Sequence, residues 1–423
     1  MKPSLSGKGT PPNRRGNGSS KIDKRCKIER KYSSRERILT ALENKKSSYV
    51  PCSFMIFSAL QKKCKDQLEF MERQLELGLD TKVELPELPF RFHTEVKVKE
   101  WKQKTESGYL LHKEYRAPSG KLTSIVRKTE DWPYEDSVPL FNDYLVPRSQ
   151  KFLIEKKEDL KSLQYLFSEP TSRDLSTFRE QANKLKSFAA NKGLLVSGGW
   201  TNFGSEKGID KDGGTMGADA LMWLCGVEKA LLLAMHESET MEELLQIISE
   251  WNTKRMEVYL GEGIDLLIKR AWYESTDLWS PSLYHKFIFP VLKKEIELAH
   301  QAGVKFGYIM TSGVMSLLDD FLELGIDVLI GVDPVQGKGT DLKLLKERVD
   351  GKMCLWGGVN GFLTVEKGEE KEVEDAVEES ISVLGPEGFI LSPVDNVRDN
   401  SKRTWNNVKT MIKTWKIKLQ EMT

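Results

Sequence analysis

Two rhythms of apolar residues alternate along this chain. In "SSRERILTALENKK" (33–46), Ile38, Leu39 and Leu42 recur at helical spacing behind a serine placed to cap the first turn. "YVPCSFMIF" (49–57) is a short continuous apolar run, the pattern of a buried strand. "DQLEFMERQLELGLD" returns to the helical stripe and stops at Gly78, and "TKVELPELP" is a second strand with its exit loop. From Gly193 onward the alternation becomes regular. Apolar strands are predicted over 193–199, 264–274, 304–313, 326–333, 352–359 and 388–396, with helices between them, among them 280–302 and 366–384.

Residues 94–129 follow another rule. "EVKVKEW", "YLLHKEYRA" and "KLTSIVRKT" alternate apolar and polar positions and are separated by Ser107-Gly108 and Ser119-Gly120. That is an antiparallel three-stranded meander. It leads through "DWPYEDSVP" to helices over about 156–190. Eight apolar strands, each followed by helix, imply a parallel sheet covered on both faces. The expected fold is a closed (β/α)8 TIM barrel over residues 34–423, with the meander inserted after the second strand, at about 92–190. An open doubly wound sheet is the alternative, but no G-x-G-x-x-G follows any strand.

Charge changes the picture at one end. Residues 1–33 carry ten Lys/Arg against two acidic residues, a local +8 within a chain of net +1. The segment is rich in Gly, Ser and Pro and lacks a large apolar face, so a disordered basic tail is expected. The remainder is then mildly acidic, which argues against nucleic-acid binding. No apolar run is long enough for a membrane span, and five scattered cysteines without C-x-x-C imply a reducing, cytoplasmic setting.

Barrel enzymes place their chemistry where the strands end. The residues at those ends are Glu87 after the second strand, and Trp200 and Asn202 after the third. The fourth offers Arg270, Tyr273 and Glu274, the fifth Tyr308 and Ser312, the sixth Asp333, the seventh Asn360 and the eighth Asp395. Carboxylates gathered at one mouth repel one another, which raises a pKa and suits acid–base work. Glu87, Glu274, Asp333 and Asp395 are therefore the catalytic candidates. Trp200, Asn202, Arg270, Tyr273, Tyr308, Ser312 and Asn360 are the substrate-binding ones. Asp and Asn at such positions also serve as helix caps, the competing structural role.

Four segments carry a family resemblance. "RERILTALENKKSSYVP", "LWSPSLYHKFIFPVLKKEIELAHQAG", "DLKLLKERVDGKMCLWGGVN" and "GPEGFILSPVDNV" resemble, in order, segments of the uroporphyrinogen decarboxylase superfamily over about residues 34–415. The resemblance implies the same barrel, and either decarboxylation of porphyrinogens or methyl transfer to or from a corrinoid protein or a thiol. The methyltransferase branch binds zinc through H-x-C-G and a later Cys. This chain has Met310, Ser312 and Val394 at those positions, so no metal is expected. The decarboxylase branch carries an arginine loop after the first strand, where this chain reads "FMIFSALQ", and a catalytic Asp near the position of Glu87.

The expected function is a uroporphyrinogen decarboxylase-like enzyme, a lyase or methyltransferase of porphyrin or corrinoid metabolism, inclined toward a zinc-less methyltransferase. Its expected partners are a small-molecule or tetrapyrrole substrate and a corrinoid protein, with no tightly bound cofactor of its own. A non-catalytic tetrapyrrole- or partner-binding protein is the alternative.

Overall fold

The computed structural model describes residues 32–201 and 216–422. The expected basic tail, apart from Tyr32 and Ser33, and the candidate Asn202 lie outside the described residues. Strand β1 (Lys82–Glu84) is followed by β2 (Lys97–Thr105), β3 (Gly108–Ala117), β4 (Gly120–Lys128) and β5 (Ser149–Lys151). Six more follow: β6 (Leu195–Gly199), β7 (Leu266–Arg270), β8 (Lys305–Ile309), β9 (Val328–Val332), β10 (Cys354–Asn360) and β11 (Phe389–Val394).

Two sheets result. A seven-stranded parallel sheet runs β1-β6-β7-β8-β9-β10-β11, and a separate four-stranded antiparallel sheet runs β2-β3-β4-β5. The meander thus stands where the turn signals placed it, and it gains β5, which is too short to be legible in the sequence.

The predicted strand at 49–57 forms no ladder of its own. It touches β11 through two isolated parallel bridges, Cys52 to Leu391 and Ile56 to Asn396. Its backbone bonds to Leu391 on one side, and on the other the Cys52 carbonyl accepts from Asp80 N at 2.8 Å, just before β1. Pro51 has no N–H to give to a ladder, which shortens what the apolar run could form.

The parallel sheet is curled. Its concave face encloses Leu195, Leu266, Ile268, Ile309, Val328, Ile330, Cys354, Trp356 and Ile390, with Met55 and Ile56 from the bridging segment. The Trp356 indole donates across this core to the Ser53 carbonyl at 2.8 Å. The helix Ser34–Leu42 packs its predicted stripe, Ile38 and Leu42, against one end, after a capping box in which Ser33 and Glu36 bond reciprocally. Trp200 and Trp272 pack against the same cluster.

The helix expected over 280–302 is instead interrupted. Tyr284–Ile288 forms a π-helical turn before Phe289–Gln301, because Pro290 has no N–H to continue the α pattern. The helix Gln67–Leu77 ends at Gly78, whose φ of +85° needs a residue without Cβ.

Candidate active site

Side chains alternate along a strand, and that alternation divides the candidates. On β7, Leu266 and Ile268 point into the concave core, so Arg270 follows them to its rim, while Lys269 points outward under the helices. On β8, Ile309 points inward and Tyr308 outward. The ten candidates among the described residues therefore do not form one constellation.

The inward group centres on Arg270. Its guanidinium lies 4.6 Å from the ring centroids of both Trp223 and Trp272. Nε donates to Asp219 Oδ2 at 2.6 Å, and Nη2 donates to Asp143 Oδ1 at 3.0 Å. Trp272 in turn meets Trp200 edge to face at 5.6 Å. Asp219 is fully buried, and its other oxygen accepts from Tyr273 N at 2.7 Å, which holds the turn after β7. Burial pushes the Asp219 carboxyl up to about 6, against the lowering pull of Arg270 and with a further push from Glu274. Burial likewise raises the Tyr273 phenol, helped by its hydrogen bond to Asp143.

Asp143, Asp219 and Trp223 were not among the sequence candidates. Asp143 sits in the loop between β4 and β5, and Asp219 and Trp223 lie on the helix Asp219–Cys225, none of them at a strand end. The one available signal was an aspartate at the start of the apolar stretch "ALMWLC".

Asp395 stands at the same rim, in a left-handed conformation (φ +63°) and paired with Arg398 at 2.9 Å. Burial raises its pKa, Arg398 opposes the rise, and the nearby Asp143 and Asp333 add to it. Asp143 and Asp333 are thus near enough to Asp395 to act on it electrostatically. Asp333 is nevertheless fully engaged: Oδ1 accepts from Val335 N at 2.8 Å and Gln336 N at 3.0 Å, and Oδ2 accepts from Asn360 Nδ2 at 2.7 Å. Asn360 also caps the turn after β10 by accepting from Leu363 N at 2.5 Å. Ser312 donates to Asp277.

The outward group is a buried ionic cluster between β7, β8 and the surrounding helices. Lys269 Nζ donates to Glu295 Oε2 at 2.5 Å and lies 3.9 Å from Glu274. Glu274 accepts from Ala218 N at 2.7 Å and from the Tyr308 hydroxyl, and Asn252 donates to Glu295 at 2.7 Å. Burial raises the Glu274 pKa, with Lys269 opposing. Burial acts to lower Lys269, but Glu295 and Glu274 win and raise it. Glu274 and Tyr308 thus lie outside the mouth where the strand-end reading placed them. The chain turns back after Arg270, as Glu274 N bonds to Ala271 O, and carries Glu274 beneath the helices. Gly217 makes this possible, since a Cβ there would lie 1.8 Å from the Glu274 carboxylate.

Glu87 belongs to neither group. It is half-buried in the exit loop after β1, close enough to Arg255 and Tyr259 to act on both electrostatically. Arg255, fully buried over the Trp251 ring at 4.4 Å, braces that loop by donating to the Leu88 and Pro89 carbonyls.

The zinc-ligand positions do not fit the metal. Met310 and Val394 are buried apolar groups and Ser312 is spent on Asp277, and among the described residues no three His, Cys, Asp or Glu side chains converge as ligands would.

Comparison with known proteins completes the description. Residues 218–416 match the family model "Uroporphyrinogen decarboxylase (URO-D)". Among solved structures, a methyltransferase from Methanosarcina mazei aligns over 92% of this chain and 99% of its own, at 16% identity and a TM-score of 0.53. A B12-independent methionine synthase from Shewanella sp. W3-18-1 aligns over 83% and 84% at 9% identity, with a TM-score of 0.40. No curated protein matches.

Proposed function

With a uroporphyrinogen decarboxylase family domain over residues 218–416 as the premise, we propose that this protein is an enzyme of the methyl-transferring side of that superfamily, working without zinc on a small cationic or methylated substrate. We take the segment 49–57 as the eighth stave that closes the sheet into a barrel, since its bonds reach both Leu391 and Asp80.

The observation that carries the reading is the charge balance at the rim. Arg270 is already clamped by Asp219 and Asp143 and lies against the Trp223 and Trp272 rings. It is therefore poorly placed to grip the several carboxylates of a porphyrinogen, and the acidic groups around it would repel them. A substrate cation placed against Trp200, beside Trp272, would meet an aromatic ring, with the carboxylates of Asp143, Asp333 and Asp395 at the rim to balance its charge.

Trp200 and Trp272 bind the substrate in this reading, and Asp395 balances its charge. Arg270 and Asp219 keep the indoles in place. A corrinoid, if brought by a partner protein, would supply the metal centre for methyl transfer, while Trp200, Trp272 and Asp395 would hold the substrate. Incubating the purified protein with methylcobalamin and a small tertiary amine, which would take the methyl group as a quaternary ammonium and release cob(I)alamin, or with uroporphyrinogen, and following each spectroscopically, decides between the two branches. Loss of methylcobalamin with uroporphyrinogen untouched is expected. Consumption of uroporphyrinogen, or a co-purified tetrapyrrole that is never turned over, would overturn the reading in favour of a decarboxylase or a binding protein.

A further inference from the structure

The antiparallel sheet holds a charge that the whole-chain total conceals. Residues 97–128 carry nine Lys/Arg against three Glu, a local +6 in a chain of net +1. Strand β2 is an edge, exposed along nearly its whole length. Cross-strand register resolves the two faces. One face carries Leu111, Tyr115, Leu122 and Val126 into the core. The other presents Lys97, Lys99 and Trp101 on β2, opposite Arg116, Glu114 and His112 on β3, and continues to Lys121 and Arg127 on β4.

Two features of this outer face go beyond a solvated surface. Trp101 lies flat on the His112 ring, centroids 4.8 Å apart and planes within 10°, and remains 37% exposed. Around it, Glu114 pairs with Arg116 and Lys121, and Lys99 Nζ stands 5.4 Å over the indole, from which a stacking base would displace it; among the described residues Lys97, Lys99 and Arg127 make no ion pair. Alternate residues on a strand stand about 6.6 Å apart, so Lys97, Lys99 and Trp101 form an evenly spaced row of two cations and a stacking surface.

We infer that this face binds single-stranded nucleic acid, with Lys97, Lys99 and Arg127 on the phosphates and a base stacked on Trp101. A flat exposed indole amid cations is the arrangement that holds unpaired bases without sequence preference. A membrane surface would call for apolar side chains that insert, and the indole here lies against its neighbour. Lysines on an edge strand also discourage strand-to-strand aggregation, but that role does not need the stacked Trp101–His112 pair.

The test is fluorescence anisotropy of the full chain with a labelled single-stranded oligonucleotide of about a dozen nucleotides. Binding should weaken with salt with a log–log slope near about −2, for about three phosphates contacted. Lys97→Glu/Lys99→Glu/Arg127→Glu should weaken it at least about tenfold. Trp101→Ala should weaken oligonucleotide binding about tenfold and leave heparin binding unchanged. The milder Lys97→Gln/Lys99→Gln variant replaces the charge reversal if that fails to fold. No binding by the full chain overturns the proposal. So does binding untouched by the charge reversal, which would belong to the basic tail, or equal loss of heparin and oligonucleotide in Trp101→Ala. Binding to phosphatidylserine vesicles in preference to the oligonucleotide overturns it as well.

Discussion

Arg270 Nε and Asp219 Oδ2 lie 2.6 Å apart, and the aspartate of this pair is wholly shielded from water. The pair ties the last inward residue of β7 to the helix Asp219–Cys225. Two indoles lie against the guanidinium, and a largely buried ion pair is costly to leave half-made.

Asp219→Asn should destabilise the protein by about 1–3 kcal/mol near pH 4 in urea denaturation, because its new NH2 would face a donor, either Arg270 Nε or Tyr273 N. Wild type and variant should also differ in pH dependence. The folded carboxyl titrates at about 6, above its ordinary value of 3.8, so the native state binds more protons than the unfolded chain between those values. Asp219's stabilising share is thus complete below pH 3.8 and declines as pH rises through 6. The wild-type-minus-variant difference in stability should fall across that window. A flat difference would show that Asp219 does not titrate there.

Lys269→Met should be the most damaging single change in the outward cluster. It leaves Glu274 and Glu295 buried without their cation, and a loss of about 3–5 kcal/mol is expected. Adding Glu295→Gln should recover part of that loss, because it removes one orphaned charge. A double variant no better than the sum of the single changes would contradict this coupling.

Glu274→Gln should be mild, within about 1 kcal/mol. Its amide oxygen can still accept from Ala218 N, and Tyr308 can turn its hydroxyl toward Tyr284 at 3.3 Å while accepting from the new amide. Glu274→Ala, by contrast, strands the Ala218 N–H and should cost about 2 kcal/mol. Thermal melts of the two variants measure the gap.

Asp333→Asn should behave as a lost cap, lowering stability by about 1 kcal/mol, since its new NH2 would face the Asn360 amide donor. Substrate turnover, once found, should be little changed. A variant of full stability and abolished turnover would return Asp333 to the catalytic set.

Elemental analysis of protein purified with zinc in the medium should find well below one zinc per chain. Met310, Ser312 and Val394 offer a thioether, a hydroxyl and an alkyl group, none of which competes for the ion. One chelation-resistant zinc per chain would mean that other residues hold it.

Apolar periodicity and turn residues marked most of the elements, though they missed β5 and read a strand at 49–57 where only isolated bridges form. Alternation with helices marked β6 to β11 as parallel, and Ser-Gly pairs cut the meander into β2, β3 and β4, because these signals are local in the chain. The missing zinc ligands were equally legible, since ligand chemistry belongs to the residue type. The grouping of the site was not. Whether a strand-end residue faces the core or the helices depends on where the strand stops, and β7 stops at Arg270, four residues short of the apolar run's end. That difference sends Arg270 to the rim and Glu274 beneath the helices. Asp143 and Asp219 reach Arg270 from positions 127 and 51 residues away, one in a loop and one on a helix. No local pattern encodes such a meeting, because burial and pairing of charge are settled only when distant segments pack.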